Sequence, residues 1–240
     1  MIPKIIHYCW FGGKELPSLT KLYIQSWKKI MPDYEIVEWN ESNSPLDAND
    51  FIREALAAKQ YAFVADYVRL YALYTMGGVY FDTDVMAIRS LTPFLQKKGF
   101  ACFEGRDQYL VGTAVIGAEK GNDLICEFLS YYEKRHFSMG QAKDRMANTF
   151  IFRVILEKHG LIINGEEQTL DNGFVVYPMT FFSAKNNNTN KLNITKDTYC
   201  IHNFSETWIS AKRKLKKLVL NYISYLKIRR IISSYYVKNE

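Results

Sequence analysis

Two aspartates, Asp82 and Asp84, have the side chains and the spacing best suited to chemistry in this sequence. They belong to an alternating segment, residues 79–85, that begins directly after two glycines and predicts a strand. Side chains two apart in a strand share a face, and two neighbouring carboxylates repel unless a cation or a proton lies between them. Hard oxygen ligands suit Mg²⁺ or Mn²⁺, which usually complete their coordination with substrate phosphates. The pair therefore predicts a divalent-cation site.

Asp66 and Arg69 form a second charged pair, within a segment of sixteen residues, 61–76, that has no Pro or Gly. The segment predicts a helix that is apolar on nearly every side and therefore buried. Residues three apart lie on the same side of a helix, and buried charges need a partner. Two interpretations remain open, namely a salt bridge in the core or a pair of groups that hold the hydroxyls of a ligand.

The elements around these residues predict an α/β fold with a Rossmann-like, mostly parallel central sheet flanked by helices. Residues 2–10 form an apolar strand, residues 18–31 have helical spacing, and residues 34–39 alternate as a second strand. Strand, helix and strand in succession favour parallel pairing, and such sheets bind ligands at the carboxyl ends of their strands. Trp10, at the end of the first strand, could stack on a base or pack in the core.

His202 and Trp208 lie in a second informative segment, residues 198–209. A single histidine is most often structural, but a neutral imidazole also binds Mn²⁺ and a ring N–H can donate to phosphate. The indole of Trp208 can only donate a hydrogen bond. The four cysteines are scattered without a C-x-x-C, so neither a zinc site nor a disulfide framework is expected.

Charge divides the chain into an expected domain, residues 1–210, and a tail, residues 211–240. The tail holds nine Lys or Arg and one acidic residue, which gives it a net charge of +8. Because the net charge of the whole chain is +6, the domain has a net charge of −2. Its apolar residues fall on one side of a projected helix, which would lie on an anionic membrane or pack on the domain. No run of eighteen apolar residues and no secretory signal pattern is present, so we expect a cytoplasmic protein.

Three short motifs carry a resemblance to a known family. The pattern Ala65-Asp66-x-x-Arg69, followed by Gly77-Gly78-Val79-Tyr80-Phe81-Asp82-x-Asp84, resembles the sugar-nucleotide-binding core of glycosyltransferase family 32. The opening strand IHYCWFGG and the segment HNFSETW resemble the family's first and last motifs. Thr207 stands where the family usually has Ser, a departure that keeps a hydroxyl.

The resemblance implies a GT-A fold and a metal-dependent, retaining transfer of sugar from a nucleotide-diphosphate donor, expected to be a UDP-sugar. It implies Mn²⁺ or Mg²⁺ as the cofactor and a glycan acceptor, lipid-linked in capsule and lipopolysaccharide synthesis, which would place the protein on the inner face of the cytoplasmic membrane. The implied metal ligands are Asp82, Asp84 and His202, and the implied catalytic residues are Asp82, Asp84 and Trp208. The implied donor-binding residues are Trp10, Asp66, Arg69, Gly78, Tyr80 and Asp82.

Two other function classes fit parts of the sequence. A non-catalytic, metal-dependent sugar-binding protein could carry the same side chains, because binding residues alone do not show turnover. Phosphatases of the haloacid dehalogenase type also use a strand-borne Asp-x-Asp, but theirs normally continues with Thr or Val where Met86 stands. Nucleic-acid binding is not expected, since residues 1–210 are faintly acidic and contain no recognised reading motif.

Overall fold

A computed structural model of the protein describes residues 1–105, 110–137, 148–186, 189, 191–204 and 226. The chain divides into two compact units, Met1–His202 and Asn203–Glu240. The expected boundary after residue 210 lies outside the described residues and stays a prediction. Leu226 is described in helical conformation, and the rest of the amphipathic tail lies outside the described ranges. None of the helices in those ranges combines the length and apolar character needed to cross a bilayer.

The first unit is built from a large sheet, a two-stranded sheet and six helices among its described residues. The strands are β1 (Ile5–Cys9), β2 (Glu35–Trp39), β3 (Gly78–Phe81), β4 (Val85–Ala87), β5 (Gly99–Glu104), β6 (Leu110–Val111), β7 (Val115–Ala118), β8 (Gln168–Thr169), β9 (Phe174–Tyr177) and β10 (Cys200–His202). The helices are α1 (Ser18–Ile30), α2 (Asp50–Ala57), α3 (Tyr61–Met76), α4 (Asp123–Ser130), α5 (Asn148–Lys158) and α6 (Met179–Phe182).

The large sheet has the order β2-β1-β3-β7-β5-β9-β8, with β6 paired to β5. In the part of the chain that the structure describes, β1, β2, β3, β5 and β9 run in one direction, and β7, between β3 and β5, is antiparallel to both. The predicted α/β class with a largely parallel sheet is therefore confirmed. The reversed direction of β7 brings the residues that precede it to the edge where β3 and β5 end.

Two apolar cores lie on the opposite faces of this sheet, because side chains alternate along each strand. One core includes Tyr80 and Phe103 and packs against α3, and the other includes Phe81 and Cys102 and packs against α1. Helices thus flank both faces, as predicted. Helix α3 has the bounds that the absence of Pro and Gly suggested, and seven of its sixteen residues are buried.

Gly77 and Gly78 connect α3 to β3 in a conformation that requires glycine. Their φ angles are 69° and 114°, and a Cβ on Gly78 would lie 2.7 Å from the carbonyl oxygen of Ile5 and 3.0 Å from His7 Nε2. His7 Nε2 lies 2.8 Å from the Gly77 carbonyl oxygen, and its Nδ1 accepts from Trp39 Nε1 at 3.1 Å. The imidazole is therefore neutral, with its proton on Nε2, and burial lowers its pKa. These contacts hold the start of β3 against β1.

The single strand predicted for residues 79–85 is wrong. Strand β3 ends at Phe81, and the chain turns before β4 begins at Val85. The Val85 N–H donates to the Asp82 carbonyl oxygen at 3.0 Å and closes the turn. The alternating pattern could not distinguish one strand from two strands around a polar turn, and aspartates favour turns. Strand β4 then leaves the large sheet and pairs antiparallel with β10.

Candidate active site

Asp82, Asp84 and His202 meet at the carboxyl-terminal edge of β3. Each offers one ligand atom, and these atoms all lie within 4.8 Å of one another. The turn after β3 carries both aspartates, and the pairing of β10 with β4 puts His202 opposite Val85. His202 Nε2 lies 3.3 Å from Asp84 Oδ1. The structure thus brings together the three residues that the resemblance implied as metal ligands. The turn after β3 supplies the two aspartates, and the two-stranded sheet supplies His202.

The guanidinium of Arg69 is buried beside this cluster, with 6% of its side chain exposed. Its Nη2 lies 2.9 Å from Asp66 Oδ1 and 3.4 Å from Asp82 Oδ1. Its Nη1 donates to the Thr113 carbonyl oxygen at 2.8 Å, and its Cζ lies 4.6 Å from the centre of the Tyr80 ring. The salt bridge considered from the sequence is present, and it reaches beyond Asp66 to the first aspartate of the pair.

Asp82 is the residue at which these contacts converge. The Tyr80 hydroxyl donates to its Oδ1 at 3.0 Å, and its main-chain N–H donates to the Ala114 carbonyl oxygen at 2.8 Å, in the segment just before β7. Burial raises the pKa of the Asp82 carboxyl, Arg69 opposes this, and the charge of Asp84 raises it further. Because 29% of its side chain is exposed, Asp82 remains open to a ligand.

Asp66 is held by a second set of hydrogen bonds. Asn148 Nδ2 donates to Asp66 Oδ1 at 2.5 Å, and Thr113 Oγ1 donates to Asn148 Oδ1 at 3.0 Å. Burial raises the pKa of the Asp66 carboxyl to about 7, against the opposing effect of Arg69. Asn148 was not found from the sequence, because an amide at the start of α5 belongs to no motif.

Glu104 and Ser183 also belong to the site and were missed by sequence reasoning. Glu104 Oε2 accepts from His202 Nδ1 at 2.9 Å and from Ser183 Oγ at 3.1 Å. Burial opposes a charged imidazole, but Asp84 and Glu104 raise the pKa of His202 well above its usual value. A carboxylate at the end of an apolar strand, GFACFE, was the signal that could have pointed to Glu104.

Trp10 and Gly78 are two further residues that the resemblance implied in donor binding. In the β1–β3 pair His7 lies opposite Tyr80, so Trp10 leaves the sheet at the same edge as Asp82. The Trp10 indole is partly exposed and donates to the Lys14 carbonyl oxygen at 2.5 Å.

Gly78 lies at the other end of β3 from Asp82, where the absence of a side chain allows the close approach of β1. Trp208 lies outside the described residues. Their roles in donor binding stay predictions.

The donor set at the cluster fits a divalent cation. Two carboxylates supply the hard oxygen ligands that Mg²⁺ and Mn²⁺ share, and an imidazole is a ligand that Mn²⁺ accepts more readily than Mg²⁺. Burial and the neighbouring charge of Asp84 raise the pKa of Asp82, whereas the carboxylates of Asp84 and Glu104 raise the pKa of His202 against the effect of burial. An added positive charge between Asp82 and Asp84 would relieve their repulsion, so the residues present suit such an ion.

Comparison with known proteins agrees with this geometry. Residues 17–101 match the family described as a glycosyltransferase sugar-binding region containing the DXD motif. Inositol phosphoceramide mannosyltransferase 3 of Schizosaccharomyces pombe is 38% identical over 130 residues, which are 52% of this chain and 36% of that protein. Uncharacterized glycosyltransferase L373 of Acanthamoeba polyphaga mimivirus is 35% identical over 101 residues, 40% of each chain. The chain thus spans between a third and two fifths of the length of these relatives.

Among solved structures, the PaToxG glycosyltransferase is similar, with a TM-score of 0.53 and 21% identity over 65% of this chain and 69% of that one. This similarity concerns the fold alone. The DXD motif of the matched region is Asp82-Thr83-Asp84. The family resemblance is therefore confirmed by the match of residues 17–101 to the glycosyltransferase sugar-binding region that contains a DXD motif.

Proposed function

We propose that the protein transfers a sugar from a nucleotide-diphosphate donor to a glycan acceptor, using a divalent cation held by Asp82, Asp84 and His202. The observation that carries this proposal is the meeting of these three side chains at one sheet edge, in a chain whose residues 17–101 match a glycosyltransferase family. The buried Arg69, 3.4 Å from Asp82, supports it, because such a network holds a carboxylate in one orientation.

Sugar transfer requires the anomeric carbon to separate from a diphosphate that carries concentrated negative charge. A bound Mn²⁺ or Mg²⁺ supplies Lewis-acid stabilisation of that leaving group, worth several kcal/mol. Asp82 and Asp84 would hold the ion through their partly exposed carboxylates, and His202 through Nε2. Tyr80 and Arg69 would keep Asp82 oriented. In this step the protein would hold the metal-binding side chains in fixed positions.

Asp66 and Arg69 would have separate tasks in donor binding. The side chain of Asp66 is 17% exposed, so a carboxylate oxygen can accept a hydrogen bond from a sugar hydroxyl. Arg69 is more deeply buried and divides its N–H groups among Asp66, Asp82 and the Thr113 carbonyl oxygen. We therefore propose that Asp66 contacts the sugar and that Arg69 chiefly positions the carboxylates of Asp66 and Asp82. From the sequence, the guanidinium was expected to bind the donor directly.

The finer parts of the proposal rest on the family resemblance. A UDP-sugar donor, base stacking on Trp10, backbone approach at Gly78, closure of Trp208 over the diphosphate and retention of anomeric configuration all belong to it. A lipid-linked acceptor and binding of residues 211–240 to an anionic inner membrane are further proposals.

The membrane role is tested by liposome flotation with and without anionic lipid, using the whole chain and a chain that ends at Ser210. Equal flotation of both chains would contradict it.

The function itself is tested with a panel of UDP- and GDP-sugars, in Mn²⁺, Mg²⁺ or excess chelator. We expect one donor to raise the melting temperature in a metal-dependent way, because a ligand that binds only the folded state stabilises it by mass action. The same donor should be hydrolysed slowly, with release of nucleoside diphosphate. Stabilisation without any hydrolysis or transfer would favour the non-catalytic sugar-binding alternative, and neither effect with any donor would contradict the proposal.

A further inference from the structure

Glu104 contacts His202 at Nδ1, the ring nitrogen that does not face Asp84. His202 Nε2 lies 3.3 Å from Asp84 Oδ1, whereas Nδ1 lies 2.9 Å from Glu104 Oε2. A carboxylate can only accept, so Nδ1 carries the proton of this hydrogen bond. Nε2 faces the Asp84 carboxylate, which also only accepts, so without a cation Nε2 is protonated as well. A bound cation would displace the Nε2 proton, while the bond to Glu104 would keep the other proton on Nδ1, so that Nε2 would offer its lone pair to the cation. The two ring nitrogens therefore have different partners.

Glu104 is itself held in place. Ser183 Oγ donates to the same Oε2 at 3.1 Å, and both residues are buried, with 7% and 2% of their surfaces exposed. The Ser183 main-chain N–H donates to the Met179 carbonyl oxygen at 2.9 Å, which ties the serine to the end of α6. A buried carboxylate at the end of β5 with two donors on one oxygen has little freedom to turn. Its orientation is thus imposed by elements outside the DXD turn.

We infer that Glu104 is a positioning residue that sets the tautomer and ring orientation of His202 for a divalent cation, with Ser183 fixing its carboxylate. The inference rests on the proposed function, since it concerns the cation held by Asp82, Asp84 and His202. Carboxylate partners of metal-binding histidines fix the ring and raise its basicity. Imidazole is a better ligand for Mn²⁺ than for Mg²⁺, which prefers oxygen. Glu104 therefore contributes to a preference for Mn²⁺.

The test measures the dissociation constants of Mn²⁺ and Mg²⁺, each alone, for the full chain and its variants. Free Mn²⁺ is followed by electron paramagnetic resonance, and Mg²⁺ by competition with Mn²⁺. The variants are Glu104→Ala, Glu104→Gln, which keeps a carbonyl acceptor but loses the charge, and Glu127→Ala as a matched control. Glu127 pairs with His159 at 2.7 Å on the surface, away from the cluster. Its loss removes the same kind of pair without touching the site.

We expect Glu104→Ala to weaken Mn²⁺ binding by about tenfold to a hundredfold, as is typical for the loss of such partners. Mg²⁺ binding should fall less, so the ratio of the two constants shifts towards Mg²⁺, which general loosening of the fold would not cause. Glu104→Gln should lie between Glu104→Ala and the wild type, and it decides the question if the alanine variant does not fold. Glu127→Ala should bind as the wild type does.

Two results would overturn the inference, and only the second would also overturn the proposed metal site. If the wild type binds Mn²⁺ but both Glu104 variants keep its affinity and metal preference, Glu104 does not position His202, and the proposed function stands. If the wild type binds neither ion, the metal site fails together with the inference.

Discussion

Arg69 Nη2 lies 3.4 Å from Asp82 Oδ1, so the buried helix α3 is linked directly to the first aspartate of the DXD turn. The same nitrogen lies 2.9 Å from Asp66 Oδ1. One planar group on the helix thus aligns two carboxylates that the chain supplies from different elements. This link makes the geometry of the turn depend on a residue that the sequence motif places thirteen positions earlier.

Arg69→Lys should impair transfer even though the positive charge is kept. A lysine ammonium cannot reproduce the planar fork that joins Asp66, Asp82 and the Thr113 carbonyl oxygen. We expect turnover to fall at least about tenfold and the free energy of unfolding to drop by about 1–3 kcal/mol, because buried groups that accept hydrogen bonds from the guanidinium lose their partner. Initial rates and denaturant unfolding measure the two effects.

Arg153→Lys is the matched control for that substitution, since Arg153 pairs with Glu157 along α5 at 2.9 Å. It should leave turnover unchanged. Normal turnover by the folded fraction of Arg69→Lys would show that Arg69 serves only the core.

Gly78→Ala should destabilise the protein strongly. The new Cβ would lie 2.7 Å from the Ile5 carbonyl oxygen, at a φ of 114° that L-residues rarely adopt. We expect the free energy of unfolding to fall by at least about 2 kcal/mol. At Gly121, where φ is 73° but no atom lies within 4 Å of the added Cβ, the same change should cost less. Equal losses at the two glycines would show that the approach of β1 to β3 is unimportant.

His7 should make the protein sensitive to acid. Its folded-state pKa is lowered by burial, so its stabilising contribution is present above the unfolded pKa of about 6.5 and is lost as the pH falls towards the folded pKa. Protonation would also break the bond that Nδ1 accepts from Trp39. His7→Asn keeps an acceptor and a donor but cannot be protonated. Its free energy of unfolding should therefore fall less steeply between pH 7 and pH 5, and identical slopes would contradict this.

Trp208→Phe tests a residue outside the described ranges. Phenylalanine keeps ring area but removes the indole N–H that we assign to the diphosphate. Turnover should fall more than donor affinity does, because an interaction made mainly in the transition state is lost. Steady-state rates and donor binding, measured on the same preparation, decide this. An equal loss in both quantities would indicate packing instead.

Local patterns predicted some of this site and could not have predicted the rest. The bounds of α3 followed from a segment without Pro or Gly, and the cluster of Asp82, Asp84 and His202 followed from spacing and family resemblance. The break between β3 and β4 was missed because alternation continues across the turn. Glu104 and Asn148 were missed because each reaches its partner across the fold, and long-range pairing leaves no periodic signal.

Metal-dependent turnover by wild type and Asp84→Asn tests the central claim most directly. The side chain of Asp84 is 14% exposed. Asparagine in its place removes the charge of the carboxylate and keeps the size of the side chain. Asp171→Asn, at an exposed turn, serves as the control. We predict that Asp84→Asn lowers Mn²⁺-dependent turnover at least about a hundredfold with the fold intact, and that chelator abolishes the activity of the wild type. Full activity of Asp84→Asn, or of the wild type in excess chelator, would contradict the account.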